Sequence, residues 1–423
     1  MRVFPIAVVG AILTFAGPMA GQPVTVVGTG DPSVDVAAVQ AAVNRGGQVV
    51  LKGHFSFNAP PTVAEQPSLL LSGEALGMVL VSKAVKITGT RDDQGEMATI
   101  EGGTNPFYVE APGSHVTIQD LRFLHPQAVA IRVVAASGLA IASNRIEGVT
   151  PATNFANAVL ISTSPGDLPP IGGQGQPESV YGTLRIANNE IDMQAKVGAK
   201  YLGIVVFGAG KAPEKEADLY VSGNNITNSN ERPINIYAIG GRAYIERNVI
   251  TTTGGLGVNV KPSGDVIHIT GPGSFVIAHN IIDCAWASGL QAGIRLQTRR
   301  SQIVSRAIIV DNDVNMSAPE GTVFGITSAA IEIRGASEGN LILNNRIRGR
   351  ANFALSVAAS TPGSNEATGV PRETTFVMND LRGFTSSRAD LFIDVGATNT
   401  VAVGAPSTIE DHGRGTVIVP GLR

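Results

Sequence analysis

The sequence predicts an all-β solenoid of parallel strands, and three observations carry that expectation. First, a short phrase (apolar, two residues, Asn, one residue, apolar) returns eight times, from Ile141…Asn144…Ile146 to Phe376…Asn379…Leu381. Its Asn residues are Asn144, Asn189, Asn224, Asn248, Asn280, Asn312, Asn345 and Asn379, so the steps by subtraction are 45, 35, 24, 32, 32, 33 and 34. A fixed phrase returning every few tens of residues marks a stack of like units. Second, the segments between copies alternate apolar and other residues with period two, the strand signature. Third, helical periodicity is confined to one stretch near the N-terminus, which excludes a doubly wound α/β fold.

Composition agrees. The chain has 423 residues, 50 of them Gly, and only 5% aromatics, which suits tight turns and thin stacked layers. Length alone would suggest two or three domains, but a solenoid grows without starting a new core. A net charge of −3 and 15% charged residues exclude nucleic-acid binding by bulk electrostatics. The single cysteine, Cys284, excludes an intramolecular disulfide framework and a cysteine-based zinc site. It is expected to be a small buried apolar residue.

Taken in order, residues 1–20 read as an export signal: Arg2, an apolar run from Val3 to Ala16, and small residues near Ala20. The mature chain is then expected to be periplasmic or extracellular, with no later membrane span. Residues 21–58 form an N-terminal cap and first strands. Within them 31–47 reads as one amphipathic helix, with Asp31 as its cap, Pro32 in the first turn, Val36, Val39 and Val43 on one face, and Gly46-Gly47 as its stop. A solenoid leaves its end layer exposed, and this helix is placed across it. Residues 59–400 form the solenoid, irregular over 59–82, and 401–423 a C-terminal cap or tail. Each regular coil carries three strands. The third is a small-apolar-x-apolar segment: Gly203–Val206, Pro233–Ile236, Gly257–Val260, Gly293–Leu296, Ala330–Ile333 and Ala354–Val357.

With the cap helix followed by Gln48-Val49-Val50-Leu51-Lys52-Gly53, the Asn phrase resembles the single-stranded right-handed parallel β-helix of the pectate lyase-like superfamily, over roughly residues 31–400. The resemblance implies a two-residue bend between second and third sheets, with the eight Asn residues stacked inward as a ladder. An amide that both donates and accepts suits a sharp, buried bend. It also implies that the small-apolar-x-apolar segments form the first sheet, whose outer face is the family's carbohydrate groove.

On that face the alternation places a polar block in four consecutive coils: Asn235 and Tyr237, Asn259 and Lys261, Arg295 and Gln297, Glu332 and Arg334. The expected partner is an acidic polysaccharide. Arg295 and Arg334 would hold its carboxylates. Lys261 or Tyr237 would abstract the proton beside a uronate carboxyl, a β-elimination, with Arg295 lowering the pKa of Lys261. The bland alternative is a solvated face on which Arg295, Glu332 and Arg334 make ordinary surface ion pairs. Of the six histidines, only His268, in the loop expected after Lys261, is a candidate acid or base; no two have metal-ligand spacing. His279 reads as a bend residue. Trp286 either stacks on a sugar ring or packs over Cys284.

A hydrolase needs two carboxylates about 5–9.5 Å apart; Glu332 stands alone on this face, with Asp265 and Asp394 distant. No cofactor is evident. The calcium-binding Asp cluster of pectate lyases has no counterpart here beyond Asp92-Asp93 and Asp311…Asp313, and the latter flanks the wrong edge. Two functions of different class therefore stand: a lyase- or epimerase-like enzyme on a uronate polymer, and a non-catalytic envelope or surface protein for glycan binding or spacing.

Overall fold

A computed structural model describes residues 22–59, 77–151, 155–162, 179–196, 198–210, 214–253, 265–270, 273–285, 292–297, 304–317, 324, 328–359, 369–404 and 406–420. The chain is a right-handed parallel β-helix. Strands pair in parallel with the equivalent strand of the next coil, and three faces result.

Isoleucine columns build the core. Ile204 pairs in register with Ile234, then Ile267, Ile294, Ile331, Leu355 and Leu391. All are buried. One inward residue thus stacks on its like about 4.8 Å away, coil after coil. β-branched side chains are stiff at χ1 and fit such a column with little entropy to lose. Gly293 marks a place where coils approach closely: a Cβ there would lie 2.8 Å from the Ala330 carbonyl oxygen.

The bend between second and third sheets explains the Asn phrase. The residue before each ladder Asn is left-handed: Ser143, Asn188, Arg247, His279, Asp311, Asn344 and Met378 all have φ of 52–56°. Gly223, at φ 66°, fills the same place at no steric cost. The Asn then caps the bend. Asn248 donates its backbone N–H (3.0 Å) and its Nδ2 (2.9 Å) to Oδ1 of Asn280, and Nδ2 also to the Val221 carbonyl at 2.9 Å. The same set recurs from Asn144 to Asn345. His279 is a bend residue, as expected, and Cys284 is buried.

The N-terminal helix spans Pro32–Val43, capped by Asp31, whose Oδ1 accepts from the Ser33 N–H at 2.9 Å. It ends at Asn44 rather than Gly47, because Gly46 is already left-handed and Gly47 opens the strand Gly47–Lys52. Val36, Val39 and Val43 are buried beneath it. Gln40 bonds both ways to the backbone of Leu80, at 2.8 and 2.9 Å, and so covers an edge strand of the first sheet. At the other end, strands Val401–Val403, Ile409–Asp411 and Val417–Val419 continue the stacking. Residues 1–21 lie outside the described residues, so the export signal does too. No helix among the described residues is long and apolar enough to cross a membrane.

Candidate functional site

The first sheet is fixed by its register. Strand Ile234–Ile239 pairs with Asp265–Thr270, and Asp265–Thr270 with Ala292–Gln297. The place expected for Gly257–Val260 therefore belongs to Asp265–Thr270. Two segments between Asn248 and Asn280 alternate suitably; Ile267 and Ile269 win because they extend two buried columns. Asn259, Lys261 and Trp286 lie outside the described residues. His268, expected in a loop, is instead a strand residue in register between Asn235 and Arg295.

In register along the sheet now stand Tyr108, Arg132, Leu160, Val205, Asn235, His268, Arg295, Glu332 and Ser356. This column continues to Phe392, not to Asp394. A second column carries Phe207, Tyr237, Thr270, Gln297 and Arg334. The register thus brings together Asn235, Tyr237, His268, Arg295, Gln297, Glu332 and Arg334.

This face is not a solvated one. Arg295 and Glu332 are 2% and 0% exposed, and Arg295 Nε donates to Glu332 Oε2. The surface ion pairs of the bland alternative are thus corrected to a buried pair, which holds only with close geometry. Arg334, Gln297, Asn235 and Ser356 are buried too. Asn235 Oδ1, Gln297 Nε2 and Ser356 Oγ have no hydrogen-bond partner among the described residues. Buried polar atoms in that condition mark a place for water or a ligand.

Tyr237 is half-buried. Its ring stacks on Phe207 at 4.4 Å and 10°, and its hydroxyl accepts from Arg232 Nη1 at 3.0 Å. Arg232 lies 3.8 Å from Glu231, which also faces Lys200 at 3.8 Å. Toward the N-terminus the face turns apolar around Leu160, Leu202 and Val205. Tyr108, fully buried there, has its phenol pushed up to about 12, because burial disfavours the phenolate more than nearby Arg132 favours it.

Asp92, Asp311, Asp313 and Asp394 are engaged in local structure. Asp92 accepts from the N–H groups of Gln94 and Glu96 in a tight turn. Asp311 accepts from Asn344, and Asp313 pairs with Arg348 at 2.6 Å. Asp394 accepts from the Ala359 and Val395 N–H groups.

One polar cluster was not anticipated. On the outer face of the third sheet, Glu147 is clamped by Arg122 at 2.5 Å and Arg145 at 2.8 Å. With Glu190, Asp192 and Asn225 it lines an open depression. Its signal was legible, since Arg145, Glu190 and Asn225 each directly follow a ladder Asn. The two arginines neutralise Glu147, Arg145 also lies 3.7 Å from Glu190, and Asp192 accepts from Asn228 Nδ2 at 2.6 Å.

Fold and face together define a β-helix protein with a polar band on its first sheet. The structure is similar to DFA-IIIase from Arthrobacter chlorophenolicus A6, with a TM-score of 0.47, 12% identity, and coverage of 90% of this chain and 91% of that one. It is also similar to the A-module of the Azotobacter vinelandii mannuronan C-5 epimerase AlgE4 (TM-score 0.39, 14% identity, 92% and 95% coverage). The Dettilon tailspike protein is a third (0.37, 11%, 86% and 68%). No protein-family model matches the sequence, and no curated protein matches it.

Proposed function

We propose that the protein is an exported, carbohydrate-active β-helix that binds an acidic polysaccharide along its first sheet and processes it by uronate β-elimination or epimerisation. One observation carries this reading: the register sets His268 between Asn235 and Arg295, with Tyr237 on the neighbouring column. Histidine is the side chain best matched to proton transfer near neutral pH. His268 therefore takes the role of the abstracting base ahead of Lys261. Tyr237 supplies a hydroxyl on the same face, and Arg334 the cation for a substrate carboxylate. Arg295 is committed to Glu332 and serves to position the floor.

The depth of that pair supports the second reading, a non-catalytic surface protein, since a buried floor suits a spacer as well as a cleft. Activity separates the two. The full protein is incubated with alginates, pectins and glycosaminoglycans, with and without calcium, while ultraviolet absorbance reports unsaturated ends and proton NMR reports C5 inversion. We expect product from one polymer, a loss of at least about a hundredfold in His268→Ala, and an unchanged unfolding midpoint. A panel with neither product sinks the enzymatic reading, and glycan binding in its place would favour the other.

A further inference from the structure

The outer face of the second sheet breaks the rule that an antiparallel or solvent-facing sheet is polar outside. From Val276 and Ala278 to Val417 and Val419, six successive strands pair in register. Every outward residue on them is aliphatic except Ser274 and Thr375. Ile308 is 38% exposed, Val417 51% and Val419 43%, and the other large aliphatic residues of the face are partly exposed. The two strands before these six bound the strip: their outward face carries the stacked Tyr220 and Tyr244 rings (5.1 Å and 7°) together with Asp218, Ser222, Arg242 and Glu246.

Five steps of about 4.8 Å make the aliphatic strip about 24 Å long. With two outward columns and their flanks, about 20 Å wide, it offers about 480 Å², the footprint of a small interface. Contiguous apolar patches of that size are often functional.

The flanks decide the occupant. Exposed Arg306 precedes Ile308, and Asp311 follows Val310, on opposite edges of one strand. Glu338 and Arg372 pair on the Arg306 edge. Edges of mixed sign do not suit an anionic lipid surface, which selects clustered Lys and Arg. Branched aliphatic side chains do not offer the aromatic platforms that sugar rings favour. A second copy of the same sheet matches the ~4.8 Å repeat at every coil.

We propose that this face is the interface of a parallel homodimer, with its two-fold axis running along the strip. That operation lays each apolar column on the other column of its mate. It also sets Arg306 opposite Asp311 of the partner subunit at the same coil, twice per dimer.

Sedimentation equilibrium of the full protein across the micromolar range tests it. We expect a dimer, and a monomer of unchanged circular dichroism in Leu341→Lys. Arg306→Asp alone should weaken association about five- to tenfold, and Arg306→Asp with Asp311→Arg should restore it. The swap is compatible with the fold, because arginine and aspartate both already occupy left-handed bend positions, at Arg247 and Asp120. A wild type that stays monomeric, a trimer, or a dimer indifferent to Leu341→Lys overturns the proposal. A charge reversal without rescue overturns the parallel two-fold arrangement.

Discussion

Arg295 and Glu332 show how much a single buried pair weighs in this fold. Each leaves water almost completely, and neither is tolerable alone at that depth. Removing one partner strands a charge, so Glu332→Leu or Arg295→Met should each cost about 3–5 kcal/mol in urea unfolding. The double variant should recover most of that loss, because an apolar pair of similar volume needs no desolvation. Additive losses in the double variant would show that the two side chains do not depend on each other. The same reasoning explains why Arg295 is a poor probe of catalysis: its loss would lower activity through the fold. His268 and Tyr237 are better probes, Tyr237 being half-buried and held by Phe207 and Arg232.

At the scale of the element, the unit that repeats is the bend. In Asn248→Ala the N–H of residue 248 loses its acceptor only if Asn280 moves, but Asn224 loses Oδ1 of Asn248, which takes both its N–H (3.1 Å) and Nδ2 (2.9 Å). Each stranded buried donor costs about 1–3 kcal/mol. The unfolding midpoint should fall accordingly, and Asn248→Leu, which keeps the side-chain volume but neither the acceptor nor the donor, should fall about as far. A Leu variant much more stable than the Ala variant would mean that side-chain volume, not the ladder bond, matters at this bend. This bend was legible in the sequence because its demands are local: one left-handed residue, one inward amide, one apolar residue on either side. Strand identity between Asn248 and Asn280 was less legible. Val258…Val260 and Ile267…Ile269 alternate alike, and coil connections vary from 24 to 45 residues, so spacing could not choose between them. Only the neighbouring coils, through the columns above Ile234 and Ile236, select the second. Burial of the outer face was not legible at all. Period two tells which side of a sheet a residue faces, and nothing about what lies over it. Hence alternation alone places Glu332 on the surface.

The whole molecule is a one-dimensional stack in which each coil contacts only its neighbours, so stability should vary along it and fail first at an end. The two ends are tied down differently. At the first coils Asp35, buried, accepts from the N–H groups of Thr29, Gly30 and Ser56 and from the Thr29 hydroxyl, and the helix covers the edge beside it. At the last coils Asp390 is the tie. It accepts from the Ser407 hydroxyl at 2.6 Å and N–H at 3.0 Å, from the Ser386 hydroxyl at 2.9 Å, and from the Thr408 N–H at 3.2 Å. Burial acts to raise this carboxyl, yet the bonds from Ser407, Ser386 and Thr408 outweigh it and hold the pKa below the ordinary 3.8. A carboxylate whose pKa is depressed by folding adds stability that is fully present above its unfolded value and lost as pH falls through the folded one. The last coils, Phe384–Val419, should therefore lose hydrogen-exchange protection as pH falls below about 4, after correction for intrinsic rates. Asp390→Asn should lower protection there already at pH 7 and flatten the acid response, while the coils from Asn224 to Asn280 keep theirs. If protection falls equally along the chain in acid, the stack unfolds as one unit and Asp390 is not its weak fastening.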